Sequence, residues 1–354
     1  PGWEHIVKNK KTVPVVALAL GPTAGLGAAR VVASDYSVMV KGLSQIFTAG
    51  PAVVAALGED QDKESLGGSD IHTRNGVVDD EATSEQDAMD RARRFLSYLP
   101  DYAGGPLTRI DAIEPPKGNA DELAEIVPED KRKAYNMRRI LERVVDGDTL
   151  FEIGGRWGGG VITALARING WPIAVLASDP MFMAGSWTAD GSQKAKRFLG
   201  LAEKFGLPVV NFVDNPGFMI GLEAERAATI RHGVEAMNAV YEASVPWATV
   251  IIRKAYGVAG AAMSNHSRYQ YRFAWPSGDW GSLPIDGGVE VAYRAELEAA
   301  DDYDAALAAI KERLAKVTSP FRTAEQFLVE DIIDPRETRE RLVEFVRLTV
   351  GRSA

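Results

Sequence analysis

Cysteine is absent from all 354 residues, which excludes disulfides and thiolate metal ligands and points to an intracellular address. Histidine is scarce: the four residues His5, His72, His232 and His266 are scattered, so no Ser-His-Asp grouping is legible, and G-x-S-x-G is missing. H-E-x-x-H is missing too, and Asp and Glu do not cluster at metal-ligand spacings, so no metal is expected in this chain. No apolar run approaches the ~18–20 residues that span a bilayer. Positive charge is not in excess: the formal net charge is −9, and no Lys/Arg cluster offers a nucleic-acid surface. The chain opens at Pro1-Gly2 without a methionine or signal-like segment, and it reads as a piece of a longer one.

What is present is ordinary for a globular protein: 46% apolar and 25% charged residues, in a length that accommodates two domains. Residues 3–10 read as the end of a helix and 13–20 as a buried strand, with a second strand at 36–40. A helix is expected over Ser84–Leu99, with Ser84 as cap and Ala88, Ala92 and Phe95 on its apolar stripe. Residues 100–117, rich in Pro, Gly and Asp, read as a linker. Strands at 161–168, 173–177, 208–213 and 247–252 then alternate with helices at about 192–205 and 222–243. That alternation predicts an α/β layered fold.

An internal repeat organises the chain. VPVVALALGPTAGLGAA (13–29) lies over VPWATVIIRKAYGVAGAA (245–262), Val-Pro on Val-Pro, with Gly25 on Gly257 and no gap. FTAGP around Gly50 has a weaker counterpart in PIDGG around Gly287 and Gly288. About 90 residues precede the second Val-Pro and only 12 the first, so the first copy is expected to lack its opening strands. A strand that ends in glycine and opens a helix leaves helix N–H donors free. Neither turn has the spacing G-x-x-x-x-G-K-[ST] or G-x-G-x-x-G, which argues against a phosphate. An oxyanion hole tolerates the Gly, Ala, Val and Leu found here, because only backbone acts. Close packing of the helix on its sheet uses the same small residues and is compatible with that role. Residues 21–34 and 255–264 contain no Asp, Glu, His or Cys, so a substrate must bring its own base.

FVDNPGFMIGLEAERAATIRHG (212–233), VPWATVIIRKAYGVAGAAMSN (245–265), ALGPTAGLGAARVVASDYSVMV (19–40) and FTAGPAVVAALGED (47–60), with SLGGSDIHTRNGVV (65–78) and LSYLP (96–100), carry a resemblance over essentially the whole chain. The chain resembles the carboxyltransferase β subunit of biotin-dependent acyl-CoA carboxylases, of the propionyl-CoA carboxylase kind. The resemblance implies an α/β fold of two tandem crotonase-like (ββα superhelix) domains. These would be 1–117, a partial acyl-CoA-binding domain with its N-terminal part missing, and 118–354, the biotin-side domain.

It further implies carboxyl transfer from carboxybiotin on a carrier protein to the α-carbon of an acyl-CoA, as in fatty acid metabolism. The biotin anion would be the base. The N–H groups of Gly25 and Leu26 would hold the thioester oxygen, and those of Val258 and Ala259 the biotin ureido oxygen. Tyr256, Gly257, Gly217 and Phe218 would line the biotin side. Ala261, where propionyl-type members tend to carry Asp, would border the acyl group and leave room for a chain longer than acetyl, or a branched one. Leu26 and Val258 replace glycines common in the family. If positive φ is needed there, the holes are damaged and a non-catalytic scaffold subunit becomes the alternative; a biotin-dependent decarboxylase is another. Hydratases and isomerases of the wider crotonase superfamily need carboxylates beside the loop, and none is offered. No biotinyl MKM segment occurs, so biotin is expected in trans, from a biotin carboxylase/biotin carboxyl carrier subunit. A homo-hexamer (trimer of dimers) is expected, with helix Ala227–Tyr241 as candidate interface, in the cytoplasm or, in a eukaryote, the mitochondrial matrix.

Overall fold

Alternation of apolar side chains on both faces marks the strands of the larger sheet. In β7 (Val161–Ile168) and β8 (Trp171–Ser178), Leu165, Ala174 and Leu176 enter one buried cluster while Ile162, Ala164, Ala166, Ile173 and Val175 enter another. A strand buried on both faces needs helices on both faces. Phe198, Ala202 and Phe205 of helix Ala189–Phe205, with Ala236 and Val240 of helix Thr229–Glu242, cover the first. Met137, Ile140, Leu141 and Val144 of helix Met137–Val144, with Leu342, Phe345 and Val346 of helix Thr338–Thr349, cover the second. The structure, a computed structural model, describes residues 2–261, 270–281 and 285–350.

Among the described residues there are three sheets. One has the order β1 (Val16–Ala19), β3 (Tyr36–Val40), β5 (Asp80–Ala82). A two-stranded pair joins β2 (Thr23–Ala24) to β4 (Ile46–Phe47). The eight-stranded sheet runs β13 (Asp331–Ile332), β11 (Gln270–Ala274), β10 (Trp247–Tyr256), β9 (Val209–Asn215), β8, β7, β6 (Phe151–Glu152), with β12 (Asp279–Gly281) beside the end of β10. The β6–β7–β8 segment is antiparallel, β7 and β8 being joined by Asn169-Gly170 with φ of 51° and 80°, the left-handed pair of a tight hairpin. From β8 through β9, β10, β11 and β13 every pairing is parallel.

The repeat read in the sequence recurs in the pairing register. Val16 lies opposite Tyr36 and Ala248 opposite Tyr271; Val38 opposite Asp80 and Phe273 opposite Asp331; Ala24 opposite Phe47 and Tyr256 opposite Gly281. Four strand segments thus pair in the same order and the same parallel sense in both copies. The weaker glycine match does not persist: Gly50 caps helix Pro51–Ala55, whereas Gly287 and Gly288 lie inside helix Ile285–Ala292.

Helix and linker expectations are met with one change. Ser84 caps helix Glu85–Leu96 by accepting the Asp87 N–H, and Ala88 and Phe95 are buried. Residues 100–117 form neither helix nor strand; Ile110 N–H donates to Gly170 O at 3.1 Å, fixing the linker over the hairpin. The single helix expected over 222–243 is instead two, Leu222–Arg226 and Thr229–Glu242, because Ala228 takes a left-handed φ of 54°. No helix among the described residues is long and apolar enough to cross a membrane.

Candidate active site

Loops that follow adjacent parallel strands open at the same edge of a sheet, where ligands of α/β proteins gather. Here β8, β9 and β10 deliver residues 179–186, 216–221 and 257–261 to one edge. Gly217, with φ of 127°, donates its N–H to Asn215 Oδ1 at 2.8 Å, and a Cβ on it would stand 3.9 Å from Tyr256 O. Trp187 N–H donates to Gly217 O at 3.1 Å and Met219 N–H to Trp187 O at 2.9 Å, tying the first loop to the second. Phe218 lies against Gly233, where a Cβ would come within 2.4 Å of its ring. Gly217, Phe218, Tyr256 and Gly257, named from the sequence, are therefore neighbours.

The β10 turn divides its glycines by task. Gly257 carries the left-handed φ, 63°. Gly260 carries close packing, since a Cβ there would meet the Ala255 carbonyl carbon at 2.6 Å. Val258 is half exposed and Ala259 fully buried in helix Gly257–Ala261. The first-turn N–H groups of such a helix have no intrahelical acceptor. The side chain of Ala261 lies outside the described residues, as does His266.

The turn after β2 has the same construction. Gly25 has φ 57° and ψ −123° and precedes helix Leu26–Val32, a backbone state open to glycine and strained for other residues. Its N–H points to Phe47 O at 3.3 Å. The Gly25 N–H is engaged in the β2–β4 pairing, and the free first-turn donors begin at Leu26 and Gly27, the counterparts of Val258 and Ala259. Neither Leu26 nor Val258 is among the non-glycine residues of positive φ. The left-handed conformation falls on Gly25 and Gly257 instead.

Charge supports the edge from beneath, which the motif reading did not anticipate. Asp214, fully buried at the end of β9, accepts from Arg253 Nε and Lys254 N–H, each at 3.0 Å. Arg253 also donates to Lys133 O at 2.9 Å and lies 4.9 Å from the Tyr135 ring centre. This pair clamps β10 to β9 four residues short of Gly257. A charged residue closing each of two apolar runs, NFVD and VIIR, was the available signal.

A second buried group joins the smaller sheet to the larger. Tyr36 O–H donates to Asp80 Oδ2 at 2.7 Å, and Gly154 N–H to Asp80 Oδ1 at 3.2 Å; burial pushes the Asp80 carboxyl up to about 6. Arg197 pairs with Asp79 alongside. Lys194 donates to Trp157 O and Val161 O at 3.0 and 2.7 Å, and burial pushes its amine down to about 8. Of the histidines, His72 Nε2 is bound to Ile46 O at 2.7 Å and His232 Nδ1 lies 3.8 Å from Glu235. Among the described residues no group of three or more His, Cys, Asp or Glu is placed to hold a metal.

Residues 4–354 match the family described as the carboxyl transferase domain. The chain belongs to this family. As a carboxyltransferase-domain chain it is 35% identical over 340 residues to the propionyl-CoA carboxylase carboxyltransferase subunit of Haloferax mediterranei, covering 95% of this chain and 66% of that protein. It is 31% identical over 334 residues to methylmalonyl-CoA decarboxylase subunit alpha of Veillonella parvula, covering 94% and 64%. The structure of transcarboxylase 12S, a hexamer with methylmalonyl-CoA and methylmalonic acid bound, superposes with a TM-score of 0.90 at 31% identity, over 99% of this chain and 68% of that one. The chain spans 64–66% of the length of those two curated relatives. The fold is the crotonase-like carboxyltransferase fold, as the sequence motifs implied.

Proposed function

We propose that this chain transfers a carboxyl group between biotin carried on a partner protein and the α-carbon of an acyl-CoA. The observation that carries the reading is the matched pair of turns. Gly25 and Gly257 take the same left-handed φ at the same point of two register-equivalent strand sets, in a chain of the carboxyl transferase domain family. Division of labour follows the repeat: residues 1–117 would take the acyl-CoA and 118–354 the biotin.

Leu26 and Gly27 N–H would hold the thioester oxygen as it gains enolate charge, and Val258 and Ala259 N–H the ureido oxygen of biotin. Backbone donors beside an exposed Val258 and a buried Ala259 fit a ureido oxygen, which gains negative charge as carboxybiotin gives up CO2. Carboxybiotin supplies the CO2 that bonds to the α-carbon, and its ureido nitrogen accepts the α-proton. The chain then needs no general base of its own, in keeping with loops free of acids and histidine. Each lost donor would cost about 2.7–4 kcal/mol of barrier, and holding two substrates in line supplies much of the remainder.

The acceptor we favour is larger than acetyl-CoA, from the small Ala261, and the assembly a homo-hexamer. Ile230, Val234 and Tyr241, exposed on helix Thr229–Glu242, are the contact expected to bury. A decarboxylase reading of the same site is favoured by the Veillonella parvula relative. Incubation with methylmalonyl-CoA and biocytin tests the shared chemistry: CO2 release that requires biocytin supports it, and no biocytin-dependent turnover defeats it. Turnover over a series of acyl-CoAs with a carboxylated carrier then fixes direction and chain length.

A further inference from the structure

The loop that leaves β8 has an unusual surface for its position. Met181, Phe182 and Met183 are 65%, 41% and 55% exposed in succession. Met183 and Ala184 are consecutive non-glycine residues with φ of 47° and 55°, and Gly185 follows at 84°. Left-handed non-glycine residues persist only where their surroundings over-determine them, and they gather at functional sites.

The surroundings here do so. Asp179 accepts the Met181 N–H on its carboxylate at 3.1 Å and the Phe182 N–H on its carbonyl at 3.0 Å, while Arg138 holds the same carboxylate at 2.6 Å. The Phe182 ring occupies the space a Cβ on Gly159 would need, at 2.7 Å. At the far end a Cβ on Gly185 would meet Asp214 O at 2.3 Å, and Asp214 is the carboxylate that clamps β10. Phe182 is thus an anchor. Met181 and Met183 enter none of the buried apolar clusters, so the strained frame holds two thioether side chains toward solvent, in a loop whose end, Trp187, is hydrogen-bonded to the Gly217 loop at the same sheet edge.

We infer that Met181 and Met183 contact the biotin bicycle and set affinity for it, forming the apolar seat of a ring whose ureido oxygen rests on Val258 and Ala259. This rests on the proposed function and names the residues that take its second substrate. The chemistry favours biotin over the CoA ester. Residues 180–187, PMFMAGSW, carry no charge, and the two acids beneath, Asp179 and Asp214, are each held by an arginine. A polyanionic CoA would call for free cations, whereas the sulfur-bearing face of biotin is neutral and apolar. Methionine, flexible and polarisable, moulds to such a face.

The test is a Met181→Ser/Met183→Gly variant, in which glycine takes the left-handed position without strain. Biocytin binding is followed by saturation-transfer NMR, and KM values for biocytin and methylmalonyl-CoA in the biocytin-dependent decarboxylation. At least a fivefold weaker biocytin affinity is expected, with the KM for methylmalonyl-CoA within twofold, and the Met181→Leu/Met183→Leu variant should restore biocytin affinity. Unchanged biocytin binding in the double variant, or equal losses toward both substrates, overturns the inference while leaving the carboxyltransferase reading in place. A wild-type chain that binds neither biocytin nor methylmalonyl-CoA overturns both.

Discussion

Gly25→Ala separates conformational strain from contact, because nothing lies within 4 Å of the Cβ it would add. The cost is therefore the backbone state alone. At φ 57° and ψ −123° an alanine is disfavoured by about 1–3 kcal/mol. Against this stands the hydrogen bond from Ala29 N–H to the Gly25 carbonyl, 2.9 Å, worth about 1 kcal/mol net. Strain exceeds the restraint, so the turn should relax by rotating the peptide that joins the substituted residue to Leu26. The loss of stability is then capped near ~1 kcal/mol, while the Leu26 donor swings out of line. Losing one such donor lowers kcat by about 10²–10³. Urea denaturation and steady-state turnover of methylmalonyl-CoA read the two effects separately. Leu26→Gly is the control: Leu26 is helical and 58% exposed, so its backbone donor stays in place and kcat should fall far less. A Gly25→Ala protein with wild-type kcat and wild-type stability would refute the strained-turn account, since neither cost would have been met.

Asp80 makes stability depend on pH. Its carboxyl titrates near 6 in the folded chain against an ordinary 3.8, so the native state holds the proton more tightly and stability falls as pH rises from about 4 to 6. Asp80→Asn should flatten that decline in urea midpoints and stabilise the chain at pH 7.5 by about 1–2 kcal/mol, the linkage gain less one hydrogen bond; a steeper decline would contradict it. Arg253→Met leaves the Asp214 charge buried and unpaired, which should cost about 3–5 kcal/mol in chemical denaturation, with Asp214→Asn in the same chain recovering part of it. Gly233→Ala drives a Cβ into the Phe218 ring and should cost about 1–3 kcal/mol. Phe218→Leu should relieve it, and absence of relief in thermal melts would mean the clash is absorbed elsewhere.

Much of the frame was legible because local signals and tertiary burial agree. The β7 to β10 strands are near-continuous apolar runs, and Ser84 announces a helix cap. The break at Ala228 was not legible, since alanine favours helix and the left-handed φ there comes from tertiary context. The engagement of the Gly25 N–H by Phe47 O was hidden for another reason. Residue types mark where glycine is required, but which N–H is spent in strand pairing depends on the β2–β4 register, and Phe47 is far from Gly25 along the chain. Met181 and Met183 also escaped, because two methionines near a glycine resemble any surface loop until the φ values and exposures are known.

In both copies of the repeat the left-handed conformation falls on the glycine and not on the residue after it. Gly25 and Gly257 take φ of 57° and 63° at the same point after strands that pair in the same order in both copies. Changing Gly25 or Gly257 therefore alters geometry, whereas changing the next residue alters only what stands beside the donors. A side-chain substitution at Leu26 or Val258 leaves the left-handed residue of each turn untouched. The same logic accounts for Asp80 and Asp331. They occupy equivalent register positions, yet Asp80 is buried at the seam with the larger sheet and Asp331 is exposed and paired with Arg341 at 3.1 Å. Register preserved the backbone frame, and the surroundings of each copy decided what its carboxylate does.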